Sequence, residues 1–446
     1  MRKHITIILG SLCLIGLVLY LTCLLLANRW THRTEAPTAQ QEMQLEAKAT
    51  DWPQWHGPSR DSRSKETGLL KTWPGSGPQL IWKADGIGQG WSSPSIAYAH
   101  IFVTGTESKR EFLACLDLKG HVQWKVFYGS AFKRYPGARS TATVEDGRVY
   151  VISGRGEVAC IDIPMEMIKW KLDGSTIFKG KTHGFGTAEC PLVFDNKVFY
   201  TPCGDQTTVV ALNKYTGQTV WQSPSIADQT AYVSPVMIRH GTRDILLTVT
   251  GMHIVAIDPS TGNIDWAYPY VRNHMTRNSI KPLIQNAISP LYYDGQIYVT
   301  SGYNHVGVAL QLSEDGRSVS LLWEDRTLDC HHGGVILHNG HIYGSSWHSN
   351  FTGNWVCLDW KTGRVRYDCH WFDKGSILYA DNMLYCYEEQ GGHIALVKPT
   401  PDSFEIISSF QITMGTGEHW AHPIISDGCL YVRRGDSLMA YDVKQR

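Results

Sequence analysis

The stretch Ala256-Ile257-Asp258-Pro259-Ser260-Thr261-Gly262-Asn263-Ile264-Asp265-Trp266 decides how this chain is read. A small residue, an aliphatic one and an acid end one strand. Pro259 to Gly262 carries turn residues, and Trp266 falls in the strand that follows. The opening of this stretch returns about every 47 residues, the signature of a repeat architecture. It reads Cys115-Leu116-Asp117, Cys160-Ile161-Asp162 and Ala211-Leu212-Asn213 before it. After it come Ala309-Leu310-Gln311, Cys357-Leu358-Asp359, Ala395-Leu396-Val397 and Ala440-Tyr441-Asp442. Trp124, Trp170, Trp221, Trp323, Tyr367 and Phe410 hold the aromatic place of Trp266 in other copies. A β-run precedes each copy, such as Val149-Tyr150-Val151 or Leu430-Tyr431-Val432, itself preceded by turns such as Asp294-Gly295 and Asn339-Gly340. Each repeat therefore holds four short strands, the content of one propeller blade.

The last copy ends at Asp442 without an aromatic strand, while Trp82 in Gln79-Leu80-Ile81-Trp82 has no copy before it. The two halves complete one another, and closure removes a sheet edge. The expectation is an all-β, eight-bladed β-propeller of four-stranded blades over 79–446, closed by an amino-terminal strand. The composition agrees. The 446 residues are 43% hydrophobic, enough to bury a core, and 41 basic residues balance 41 acidic ones. Zero net charge without a Lys/Arg run longer than two residues argues against nucleic acid as a partner.

The amino terminus carries a different signal. Ile5 to Ala27 is uncharged and follows Arg2 and Lys3. At about 1.5 Å per residue such a helix crosses a hydrocarbon core. An uncleaved anchor is preferred over a signal peptide, because Leu25-Leu26-Ala27 is a poor cleavage site and the apolar run is long. The expected domains are a transmembrane signal-anchor (or signal peptide) at 1–28, a polar tether at 29–50, a lead-in at 51–78 and the propeller at 79–446. The basic pair orients the propeller to the periplasmic, extracytoplasmic side of a cell membrane crossed once.

The run Ala-x-Asp-x-x-Thr-Gly-x-x-x-Trp resembles the tryptophan-docking motif of pyrroloquinoline-quinone (PQQ)-like propeller repeats. Ala256 to Trp266 matches it throughout, and Ala211 to Trp221 departs only at Asn213. The glycine is missing after Asp162, and Tyr367 replaces Trp. The resemblance covers about Gln79 to Val443, and the Gly-His and Trp-Asp pairs of WD40 blades are absent. Trp52-Pro53-Gln54-Trp55-His56-Gly57-Pro58, with Trp73-Pro74, is similar to the lead-in of bacterial members to which no activity is attached. The family holds quinoprotein dehydrogenases and non-enzymatic propellers like the BamB lipoprotein of outer-membrane assembly. The dehydrogenase resemblance implies PQQ with calcium, a vicinal Cys-Cys pair, a Trp floor and an Asp/Glu/Asn set. The chain has no Cys-Cys.

Turns after the first and third strands of each repeat are short. The opposite face, with the blade links and the loops after second strands, carries the insertions 173–188 and 267–287. It also gathers most of the histidines, including His183, His253, His274, His305, His331, His332, His348, His370, His393, His419 and His422. Function on a repeat scaffold sits on such loops. The candidate binding residues are Trp91, Arg139, Glu189, His331, His332, Trp347, His419, Trp420 and His422. His331, His332, His419, His422 and Glu189 are also weak metal candidates, since imidazole and carboxylate suit zinc, iron or copper. The competing reading has these histidines lining a wet channel. Cys115, Cys160 and Cys357 stand where other blades have Ala and read as buried fillers. Cys190/Cys203 and Cys369/Cys386 are open as disulfides. The functional expectation is a non-catalytic scaffold, without a cofactor, that binds a protein or a cell-envelope polymer. A PQQ/calcium-dependent quinoprotein dehydrogenase, with Trp420 as floor and Glu189 on calcium, is the alternative.

Overall fold

The computed structural model describes residues 45–273 and 285–446. The expected membrane span Ile5–Ala27 and most of the tether lie outside the described residues, as does His274. Among the described residues no helix is long and apolar enough to cross a membrane.

Eight four-stranded antiparallel sheets follow one another, each with its strands in chain order except at the closure. Blades 1 to 4 span 95–130, 143–173, 192–222 and 236–269. Blades 5 to 7 span 291–325, 335–369 and 375–411. Blade 8 takes Ile424–Ser426, Cys429–Arg434 and Ser437–Asp442 from the carboxyl end, and Gln79–Asp85 from the amino end as its outer strand. Gln79 pairs with Asp442 and Asp85 with Ser437, so the strand holding Trp82 closes the ring as the half-repeats predict.

The repeat residues act between blades. The Trp82 indole N–H donates to the Leu118 carbonyl of blade 1 at 2.9 Å. Trp170 of blade 2 donates to Lys214 at 3.0 Å, Trp221 of blade 3 to Pro259 at 3.1 Å, and Trp266 of blade 4 to Gly316 at 3.2 Å. Each indole lies on the turn of the next blade. A Cβ on Gly262, where φ is +81°, would stand 2.5 Å from Trp221 Cε3. The motif needs glycine there for conformation and for space at once. In blade 2 that turn position is held by Glu166 at φ 54°. Cys115, Cys160 and Cys357 are fully buried among these packed faces, as fillers should be. Cys190, Cys203, Cys369 and Cys386 are all free, so neither pairing left open from sequence is formed. Cys369 and Cys386 stand on different blades, and Cys190 Sγ instead accepts from the Thr141 amide at 3.1 Å.

The lead-in is a plug. Thr50 accepts from Ser426 Oγ (2.8 Å) in blade 8, and Trp52 exchanges two backbone bonds of 2.8 Å with Ile96 of blade 1. The Pro53 carbonyl accepts from Val144 of blade 2 at 2.8 Å. Buried Arg60 donates to the carbonyls of Cys190 and Pro191, both at 3.0 Å, at the entrance of blade 3. Arg63 donates to Leu337 of blade 6 at 2.7 Å, while Ser62 and Ser64 bracket Tyr379 of blade 7. These partners stand on, or just before, the first strands that line the axis. The segment 50–64 thus fills the channel from the short-turn end.

Candidate functional site at the mouth of the channel

The plug gives the channel a floor. At its deepest point Trp55 stacks on His56 with centroids 4.0 Å apart. His56 Nε2 lies 3.1 Å from His422 Nδ1, and His422 Nε2 lies 2.9 Å from the His332 carbonyl. Burial, then the neighbouring His332 charge, drives His422 down to about 3, so this imidazole is neutral at physiological pH. Burial, and then the His422 ring beside it, lowers His56 well below its ordinary value. The two neutral rings can share one proton between facing nitrogens, which explains how they are buried together.

Above them the long-loop face carries linked aromatic side chains. Trp420, from the link into blade 8, packs on Trp91 at 5.3 Å, on His332 at 5.8 Å and on Tyr135 at 6.5 Å. Tyr135 continues to Phe185 at 5.8 Å, and His183 is hydrogen-bonded to Tyr232 beyond it. In the other direction His332 meets His331 at 4.5 Å, His331 meets Tyr303 at 4.7 Å and Tyr303 meets Trp347 at 5.1 Å. Two guanidinium groups lie over this rim, Arg139 on Trp91 at 5.2 Å and Arg134 on Phe185 at 4.3 Å. Tyr135 is half exposed, whereas Trp91, Phe185 and Trp420 are partly covered. Beside Trp347 a cavity of about 340 Å³ is lined by Asn304, His305, Asp329, His348 and Asp368.

Below Trp420 the polar groups converge. Glu389, in the loop after the second strand of blade 7, is 3% exposed, and its Oε2 lies 3.0 Å from His332 Nε2. Its Oε1 lies 2.6 Å from Nζ of Lys374, whose side chain is 1% exposed. Burial pushes the Glu389 carboxyl up, but His332 and then Lys374 outweigh it and hold the group at about 2.

The structure thus brings Trp91, Arg139, His331, His332, Trp347 and Trp420 to one mouth, with His422 beneath. Two expected residues point elsewhere. His419 Nδ1 lies 2.5 Å from Tyr387 Oη, and its ring fills the space over Gly392. Glu189 accepts from the Thr201 amide and hydroxyl, both at 3.0 Å. Burial, the dominant effect, raises its carboxyl to about 8, so Glu189 is a protonated wall residue. Of the metal candidates named from sequence, His331 and His332 come together; His419, His422 and Glu189 do not join them. Glu389, Lys374, Tyr303 and His56 were missed. Glu389 sits in an ordinary hairpin loop, and only the dense Trp52–Pro58 cluster could have pointed to His56. The quinone site implied by the resemblance is poorly matched. All nine described cysteines are free, Glu189 is engaged with Thr201, and the mouth offers imidazole where calcium favours oxygen.

Comparison with known proteins gives the following. The profile of the family described as outer membrane protein assembly factor BamB matches residues 109–368. A quinoprotein ethanol dehydrogenase from Pseudomonas aeruginosa is 25% identical over 166 residues, covering 34% of this chain and 26% of that enzyme. The chain therefore spans about a quarter of the length of that relative. Among solved structures, BamB from Moraxella catarrhalis superposes with a TM-score of 0.59 at 13% identity, covering 82% of this chain and 98% of that one. A europium-containing methanol dehydrogenase gives 0.64 at 13% identity, covering 88% and 91%. At such identities the likeness shows the fold alone.

Proposed function

Because the chain belongs to the propeller family described as outer membrane protein assembly factor BamB, we propose that it is a membrane-tethered, non-catalytic scaffold holding a protein partner at the mouth. The observation that carries this reading is the plugged channel. One end is filled by the chain's own residues 50–64, and among the described residues the other is rimmed by Trp91, Trp420, Tyr135, Phe185, Tyr303 and Trp347. Trp, Tyr and Arg are the residues enriched where proteins bind one another, and this rim supplies all three in contact. Ile5–Ala27 and the basic pair before it support an anchor with the propeller on the periplasmic side.

The test is site-specific photo-crosslinking in cells. A crosslinker at Tyr135, half exposed on the rim, is expected to trap a defined protein, and Trp420→Ala is expected to reduce the yield. The same probe at Val220, on the outer strand of blade 3, should trap nothing. Equal trapping at both positions, or none at Tyr135, sinks the proposal. A melt of the full chain with PQQ and calcium addresses the oxidoreductase alternative. A ligand at 100 times its Kd adds about 2.7 kcal/mol. A saturable rise lost on chelation would replace the scaffold reading by the enzymatic one.

A further inference from the structure

We propose that His331, His332 and Glu389 hold a divalent transition-metal ion of the zinc class at the floor of the mouth. Each of the three offers a ligand atom, and the three atoms lie within 4.8 Å of one another. Neighbouring residues of an extended chain point to opposite sides, so His331 and His332 would normally diverge. Here the link turns at Gly333 and Gly334 and their ring centroids stand 4.5 Å apart. A Cβ on Gly333 would meet the Gly375 carbonyl oxygen at 1.8 Å. Only glycine lets this link lie against blade 7, and that approach brings the two rings to Glu389.

The surrounding groups orient the set as a metal requires. His331 Nε2 faces Tyr303 Oη at 2.7 Å, while its Nδ1 is buried with no hydrogen-bond partner. His332 Nε2 is also buried and lies 3.0 Å from Glu389 Oε2, its one polar contact. A buried ring nitrogen without a hydrogen bond, as at His331 Nδ1, is costly, and a coordinated cation removes that cost. Lys374 binds Glu389 Oε1 and leaves Oε2 for the ion, the role of the outer partner that orients a ligating carboxylate. Zinc bonds of about 2.1 Å require ligand separations of about 3.4 Å, so binding would draw the three side chains closer together. Two imidazoles and one carboxylate are three of the four ligands that zinc takes, and this donor set selects zinc-class ions over calcium. The inference stands whether or not the rim holds a protein.

The experiment uses the full chain in mild detergent, stripped with a chelator and titrated with Zn²⁺ by calorimetry and elemental analysis. One zinc per chain is expected. His331→Gln with His332→Gln, or Glu389→Gln, should abolish it, and Tyr303→Phe should weaken it by about 10-fold. X-ray absorption of the zinc-loaded native chain should show a nitrogen/oxygen shell containing two imidazoles, a readout that does not depend on any variant folding. Failure to bind zinc stoichiometrically, zinc retained by the folded double variant, or sulfur in the shell would each overturn the proposal.

Discussion

Two sets of tryptophans divide this molecule. Trp82, Trp170, Trp221 and Trp266, on outer strands, each give the indole N–H to a backbone carbonyl of the next blade. Trp91, Trp347 and Trp420, at the mouth, touch one another's neighbours through side chains and keep part of each ring in contact with solvent. The first set is bound to backbone contacts that four blades repeat, and the second to side chains that occur once. Truncating the first should therefore cost stability and spare recognition, and truncating the second the reverse.

The sharpest break of that comparison is Trp221→Ala against Trp420→Ala. The former opens a cavity between blades 3 and 4 and strands the Pro259 carbonyl, and should lose about 3–5 kcal/mol in denaturant unfolding. Trp420→Ala should change stability by less than about 1 kcal/mol while reducing crosslinking at Tyr135. An equal loss of stability in both would erase the distinction. Gly262→Ala attacks the docking from the turn side. The new methyl meets Trp221 at a positive φ, and a loss of about 2 kcal/mol is expected in the same assay.

A pH titration separates the walls of the channel from the tryptophan contacts between blades, which are made by indole N–H groups and backbone carbonyls. Glu189 is raised to about 8 in the folded chain, above its ordinary value of 4.5. The folded state then binds more protons than the unfolded one between those values, so this group lowers stability as pH rises through them. The slope is on the order of 1 kcal/mol per pH unit. Glu189→Gln should remove that part of the slope, and an unchanged slope would show that the carboxyl is ionised when folded. The smallest effect is expected at Glu166, which holds the left-handed turn position that glycine takes in other blades. Glu166→Gly should raise stability by about 1 kcal/mol, and a loss would mean that the side chain matters more than the backbone strain.

The same division explains what could be read from residues alone. Trp and Gly recur because one docking contact is repeated in several blades, and a repeated contact leaves a periodic trace; the closing strand at Trp82 followed from that period. The mouth has no period. His331 and His332 were visible as imidazoles on the right face, but Glu389 and Lys374 join them through the approach of blades 6 and 7, which spacing along the chain does not encode. His419 and Glu189 were grouped with them on chemistry, and the structure turns them to Tyr387 and Thr201. The plug was legible only as an unusual density of Trp, Pro and Gly between 52 and 58.

That plug also has a mechanical side. A pull on Glu46 reaches the ring through Thr50, Trp52, Pro53, Arg60, Ser62 and Arg63, whose hydrogen bonds fall on blades 8, 1, 2, 3, 7 and 6. Tension entering from the amino end is therefore shared across the hub, and no single outer strand bears it. The closing strand at Gln79, the seam most exposed to peeling, lies downstream of this grip and is shielded from the load.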